Sequence, residues 1–164
     1  MDRIIRATKK KWYIKREAIQ KNRSKFTVTI KQIESKEDVA FLVRQFYARI
    51  RTDEEIGFYF NKTIENWEEH LDKLTDFWEM NLFGGRNFHG NPIEAHNRVD
   101  KNFNQSITPD VFGIWLNLWF LTIDEFFEGE NADTLKRRAR KMSTMLYMNI
   151  FENRKQWLFF KSIH

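Results

Sequence analysis

Apolar residues in this chain recur at intervals of three and four over long stretches, with almost nothing to interrupt them. Only two prolines and six glycines occur in 164 residues. A chain so poor in turn formers is free to build long helices and badly suited to a turn-rich sandwich. The clearest stripe is Val39, Leu42, Val43, Phe46, Tyr47 and Ile50, one face of an amphipathic helix. Ser35 and Asp38 stand before it as a capping box built with the shorter acid. Tyr47 falls on the buried face, so its hydroxyl needs a partner inside the protein.

The same reading continues along the chain. Residues 53–60 form a short helical turn ending at Phe60-Asn61. A longer helix over about 65–83 carries Trp67, His70, Leu71, Leu74, Phe77, Trp78 and Leu82 on one face, and Gly84-Gly85 stops it. Asn91-Pro92, with Glu94 at the third helical position, opens a short helix that holds Ile93 and His96 on one side. A polar loop is expected over 97–107. Thr108-Pro109 starts the next helix, through Phe112, Trp115, Leu116, Trp119, Ile123, Phe126 and Phe127 to Gly129. The last long helix, 132–152, has its face at Leu135, Ala139, Met142, Met145, Leu146 and Asn149, and the basic, aromatic tail 153–164 either extends it or stands apart. Phe26 to Ile30 alternates like a strand but has no second strand to pair with, so it reads as an extended lead-in. The expected fold class is all-α, four substantial helices and two short pieces.

Charge is unevenly placed. The chain carries +5 overall, but residues 1–25 hold ten Lys and Arg against Asp2 and Glu17, a net of +8, which leaves −3 for the remainder. Residues 1–24 are therefore read as a basic arm, solvated and loosely docked, with contact to nucleic acid or an anionic surface as the alternative. Cysteine is absent, which excludes disulfide scaffolds, iron–sulfur clusters, thiolate-ligated haem and thioether-attached haem. No uncharged apolar run reaches the ~18 residues of a membrane span. The basic N-terminus lacks the apolar core of a secretory signal, so a cytoplasmic setting is expected. Aromatic residues make up 16%, which suits a flat apolar ligand and also an ordinary core.

Two histidines fall on inward-facing positions, His70 on a long helix and His96 on a short one just after a Gly-Gly break. Taken singly, each also reads as a satisfied core or edge histidine. As a pair they sit where two imidazoles can face opposite sides of a flat cofactor. Tyr47, His70 and Trp115 are three inward-facing polar donors on three different helices; Tyr47 and Trp115 also read as plain packing residues.

These residues resemble those of the group III truncated haemoglobins, the two-over-two helical globins of bacteria. The resemblance runs from Lys36 to Glu152 and rests on Phe46-Tyr47, Ile56-Gly57-Phe58-Tyr59-Phe60-Asn61, Trp67-Glu68-Glu69-His70, Phe77-Trp78, Gly90-Asn91-Pro92 leading to His96, and Ile114-Trp115-Leu116. It implies a truncated globin domain over 25–152, with His96 as the proximal ligand of a haem b iron. It further implies a distal pocket of Tyr47, His70 and Trp115, with Phe60, Leu74 and Phe77 against the porphyrin. Lys73 is a candidate partner for a haem propionate, with a solvated surface lysine as the alternative, and Arg98 is a weaker candidate of the same kind. His89 and His164 match no motif. The arm 1–24 and a long loop after His96 depart from the family pattern.

The implied function is reversible binding of dioxygen or another diatomic gas. Three donors around one small ligand favour redox use, nitric oxide or peroxide detoxification, over storage or delivery, because a tightly held ligand is released slowly. The chain has no glycine-rich strand–helix motif for a flavin or nicotinamide, so a reductase would have to supply electrons. Whether the chain is an enzyme stays open. A haem-free helical module that binds nucleic acid through the arm is the reading from another class.

Overall fold

The computed structural model describes residues 30–163, the side chains of 157–163 excepted, together with Ile14 and Glu17. Apart from Ile14 and Glu17, the expected basic arm 1–24 lies outside the described residues, as do the alternating residues 26–29 and His164. Six helices follow in order: α1 (Lys36–Thr52), α2 (Gly57–Asn61), α3 (Trp67–Phe83), α4 (Pro92–Asn102), α5 (Pro109–Phe126) and α6 (Glu130–Ile163). No strand occurs among the described residues; Lys31 makes one isolated parallel bridge to Phe127. No described helix is long and apolar enough to cross a membrane.

Local chemistry explains most of the helix starts. At α1, Asp38 N–H donates to Ser35 Oγ at 3.2 Å while the Asp38 carboxylate accepts from Ser35 N–H at 3.2 Å and Glu34 N–H at 2.9 Å. Asn66 accepts from Glu69 N–H at the start of α3, and Asn91 accepts from Glu94 N–H at the start of α4. Thr108, by contrast, makes no side-chain cap; Pro109 sets the first turn of α5 by its fixed φ. Gly84 ends α3 at φ 78°, a conformation that costs a residue with a side chain more than glycine.

Helix α1 packs against α3, α5 packs against α6, and contacts of α1 with α5 and of α3 with α6 join the two pairs. The core between them is made by Val39, Leu42, Phe46 and Ile50 of α1, Trp78 of α3, Trp119 and Ile123 of α5, and Leu135, Ala139 and Ile150 of α6. Trp119 is sandwiched between Trp78, 4.7 Å away at 23°, and Trp115, 5.9 Å away at 11°. This is the two-over-two arrangement expected from the sequence.

Two local expectations need correction. The loop over 97–107 begins later than expected, because α4 continues to Asn102. Asp100 reads as a loop residue yet is buried, held by Arg154 of α6 through bonds of 2.9 and 2.6 Å. Arg154 also donates to the Ile107 carbonyl, and Asp100 accepts from Ile107 N–H, so one ion pair clasps the whole α4–α5 connection. That connection turns through Asn104 and Gln105, both left-handed at φ 56° and 58°. The buried face of α6 also differs: Met145 is exposed and Asn149 only half-buried, while Ser143 and Ile150 are buried in their place. Of the two readings of the tail, the structure has the first: residues 153–163 extend α6 without a break.

Candidate functional site

A cavity of about 620 Å³ opens between the two helix pairs and α4, within the range of small-molecule and cofactor pockets. All nine residues singled out from the sequence line it: Tyr47 from α1, Phe60 from α2, His70, Lys73, Leu74 and Phe77 from α3, His96 and Arg98 from α4, and Trp115 from α5. Their helical spacing explains the convergence. His70, Leu74 and Phe77 are four and three apart, so α3 presents them on one side.

The α4 wall is built around His96. Its Nδ1 lies 2.7 Å from the Pro92 carbonyl oxygen. A carbonyl only accepts, so Nδ1 carries the proton and Nε2 keeps its lone pair. Burial holds the imidazole below the usual histidine range, with the Pro92 bond opposing this. A neutral imidazole with one nitrogen anchored and the other free is a preset metal ligand. Among the described residues no group of three or more His, Asp or Glu could hold a metal ion. One imidazole suits a metal that arrives with its other ligands.

The wall formed by α1, α3 and α5 holds the polar groups. Tyr47 is buried, and burial pushes its hydroxyl far above the ordinary tyrosine range; a hydrogen bond from Trp115 works the other way. The hydroxyl therefore keeps its proton at any ordinary pH. Phe46 fixes both rings, lying edge-on to Tyr47 at 4.9 Å and to Trp115 at 5.3 Å. His70 meets the Tyr47 ring edge-on at 5.7 Å. Burial, and secondly the charge of Lys73, lowers its pKa, so it too is neutral near pH 7.

No family model matches the chain. A group 3 truncated hemoglobin of Campylobacter jejuni is 30% identical over 121 residues, 69% of this chain and 91% of the relative. The chain belongs to the group 3 truncated haemoglobins. The crystal structure of the group III truncated hemoglobin from Campylobacter jejuni superimposes on it with a TM-score of 0.61 at 25% identity, covering 72% of this chain and 92% of that one.

Around the cavity of this truncated haemoglobin stand residues that sequence reasoning did not single out. Phe112 lies nearly parallel to His96, ring centres 6.1 Å apart at 23°. Its position three before Trp115 on the α5 stripe was the available signal. Met142 and Leu146 bring α6 to the wall; both were on the predicted inner face. Phe88, in the loop before α4, packs on Phe77 at 5.0 Å, and no periodicity marks a loop residue. Lys73 and Arg98 are both exposed, and Arg98 is paired with Glu94 at 2.9 Å. His89 is exposed and outside the cavity wall.

Proposed function

We propose that this truncated haemoglobin holds one haem b in the cavity, with His96 as its protein ligand through Nε2, and binds dioxygen and other diatomic gases reversibly. The observation that carries this is the His96 imidazole, neutral and anchored by Pro92 on the wall of a 620 Å³ cavity. The lining fits the group. Phe60, Leu74, Phe77 and Phe112 supply apolar and aromatic faces, and Lys73 and Arg98 bring cations for the propionates. With no cysteine in the chain, covalent attachment and thiolate ligation are closed, which favours haem b.

When bound, haem supplies the iron at which the gas is held and electrons are exchanged. The protein's own part is to donate hydrogen bonds in a dry site. Trp115 is a donor only, the Tyr47 hydroxyl stays protonated, and neutral His70 offers one N–H. Each bond to a polarised ligand contributes about 1 kcal/mol or more, so two slow its release by roughly one to two powers of ten. Slow release suits redox use of the ligand, nitric oxide or peroxide detoxification with electrons from outside the chain, over oxygen delivery.

The test is an absorption spectrum of the full-length protein with added haem beside His96→Ala. A strong Soret band in the wild type that collapses or shifts in the variant is the expected result. Correctly folded wild-type protein that takes up no haem would overturn the reading.

A further inference from the structure

The outward side of α6 carries a charge pattern that the cavity does not use. From Arg137 to Phe151 the chain holds four cations, Arg137, Arg138, Arg140 and Lys141, and no carboxylate. All four are exposed. None is in an ion pair among the described residues, whereas neighbouring Lys136 is tied to Asp124 and Asp133. Arg140 lies over the Phe120 ring at 4.6 Å and Arg137 donates to Thr134 Oγ1 at 2.7 Å, contacts that leave both charges uncompensated. The next turns expose Met145, Met148 and Phe151 at 43%, 61% and 46%. Spaced three apart, and continuing the side on which Lys141 stands four before Met145, they make an apolar strip with a cationic end.

The other side of the same turns is the cavity. Met142, Ser143 and Leu146 line it, so only the width of one helix, about 10–12 Å with side chains, separates the outer strip from the pocket. Aromatic rings bridge part of that gap. Tyr147 meets Phe112 edge-on at 6.2 Å, and Phe112 lies parallel to His96 at 6.1 Å.

We propose that this face of α6 is the docking surface for an acidic one-electron carrier protein, which reduces the haem iron across the helix. The proposal rests on the haem reading of the cavity. The carrier is oxidised by one electron and iron(III) becomes iron(II); no bond forms or breaks. Uncompensated cations steer an acidic partner and repel a basic one. Exposed methionine and phenylalanine beside arginine match the composition of protein interfaces, and a strip of three apolar side chains fits the small contacts of redox encounters. Two of the three apolar side chains are methionines, which offer a base no flat face to stack on, and this favours a protein partner.

The probe is flavodoxin, an acidic one-electron donor, with the full-length haem-loaded protein. Binding of oxidised flavodoxin is measured by calorimetry at low and high salt, and reduction of the iron by reduced flavodoxin in stopped flow. The variants are Arg138→Glu/Lys141→Glu and Met148→Asp, both at exposed positions. Lys10→Glu/Lys11→Glu in the arm controls for net charge, and dithionite controls for the haem itself. The expected result is binding and reduction weakened about tenfold or more by the α6 variants, salt-sensitive in the wild type, with the arm variant and dithionite rates unchanged. Equal binding and reduction rates in wild type and α6 variants would overturn it. So would displacement of flavodoxin by stoichiometric single-stranded DNA, which would make the face a nucleic-acid site. A missing Soret band would overturn the haem reading and the electron step; the isotherm, which needs no haem, reports on the face alone.

Discussion

Tyr47 and Trp115 stand together on the cavity wall, the indole N–H directed at the Tyr47 hydroxyl, and that pairing has a kinetic consequence. The hydroxyl keeps its own proton for a ligand, and Phe46 holds both rings in place. Tyr47→Phe removes one donor with little change in volume, and Trp115→Phe removes the other together with part of the indole ring. Oxygen dissociation, followed by stopped flow, should speed up about fivefold to tenfold in each. An off-rate already fast in the wild type and unchanged in both variants would shift the balance to delivery. His70 makes a different statement, about pH. Its folded pKa is lowered, first by burial and then by Lys73. Below about pH 6.5 the unfolded chain takes up a proton there that the folded protein resists, so stability is full above that value and falls as pH drops through it. His70→Gln removes this contribution, and its melting temperature should decline less steeply than that of the wild type between pH 7 and 5.5. Parallel curves would show that His70 is not the group responsible.

Two contacts between elements fix where the cavity walls stand. The first is the approach of α2 to the end of α1. A Cβ on Gly57 would lie 2.7 Å from the Ile50 carbonyl oxygen and 3.1 Å from that of Arg51, both backbone atoms that have no flexible end to move aside. Gly57→Ala should therefore cost about 1–3 kcal/mol, read by urea denaturation; a cost near zero would mean that α2 shifts freely and that Phe60 is not rigidly placed. The second is the clasp of Arg154 on Asp100, one turn after His96. Both side chains are largely buried, at 19% and 4% exposure. Arg154→Met keeps the stem but strands the carboxylate, an expected loss of about 3–5 kcal/mol. Asp100→Asn in the same chain should recover part of it. If the single change costs no more than an exposed ion pair, about 1 kcal/mol or less, the clasp is ornamental.

At the scale of the whole molecule, what was legible in the sequence was whatever depends on neighbours within a turn or two. The stripes of α1, α3 and α5 and the caps at Ser35 and Asn91 are local chemistry, and the structure reproduces them. The nine pocket residues came from motif order and stand on one cavity wall or another. What escaped notice depends on distant partners. The end of α4 was placed early because Asp100 is satisfied by a residue 54 positions away. Met145 was placed inside because its spacing from Met142 fits the helical period, although the packing partners of α6 lie on the far side. A cavity is itself a property of packing and has no letter in the chain. Helix α6 adds a consequence in time. It supplies Met142, Ser143 and Leu146 to the wall and Arg154 to the clasp, and all four follow every other pocket residue in chain order. During synthesis His96 leaves the ribosome with its helix unclasped and one side of its chamber missing. The nascent chain therefore passes through a stage in which the imidazole is wet, and the chamber around it closes only when α6 swings home.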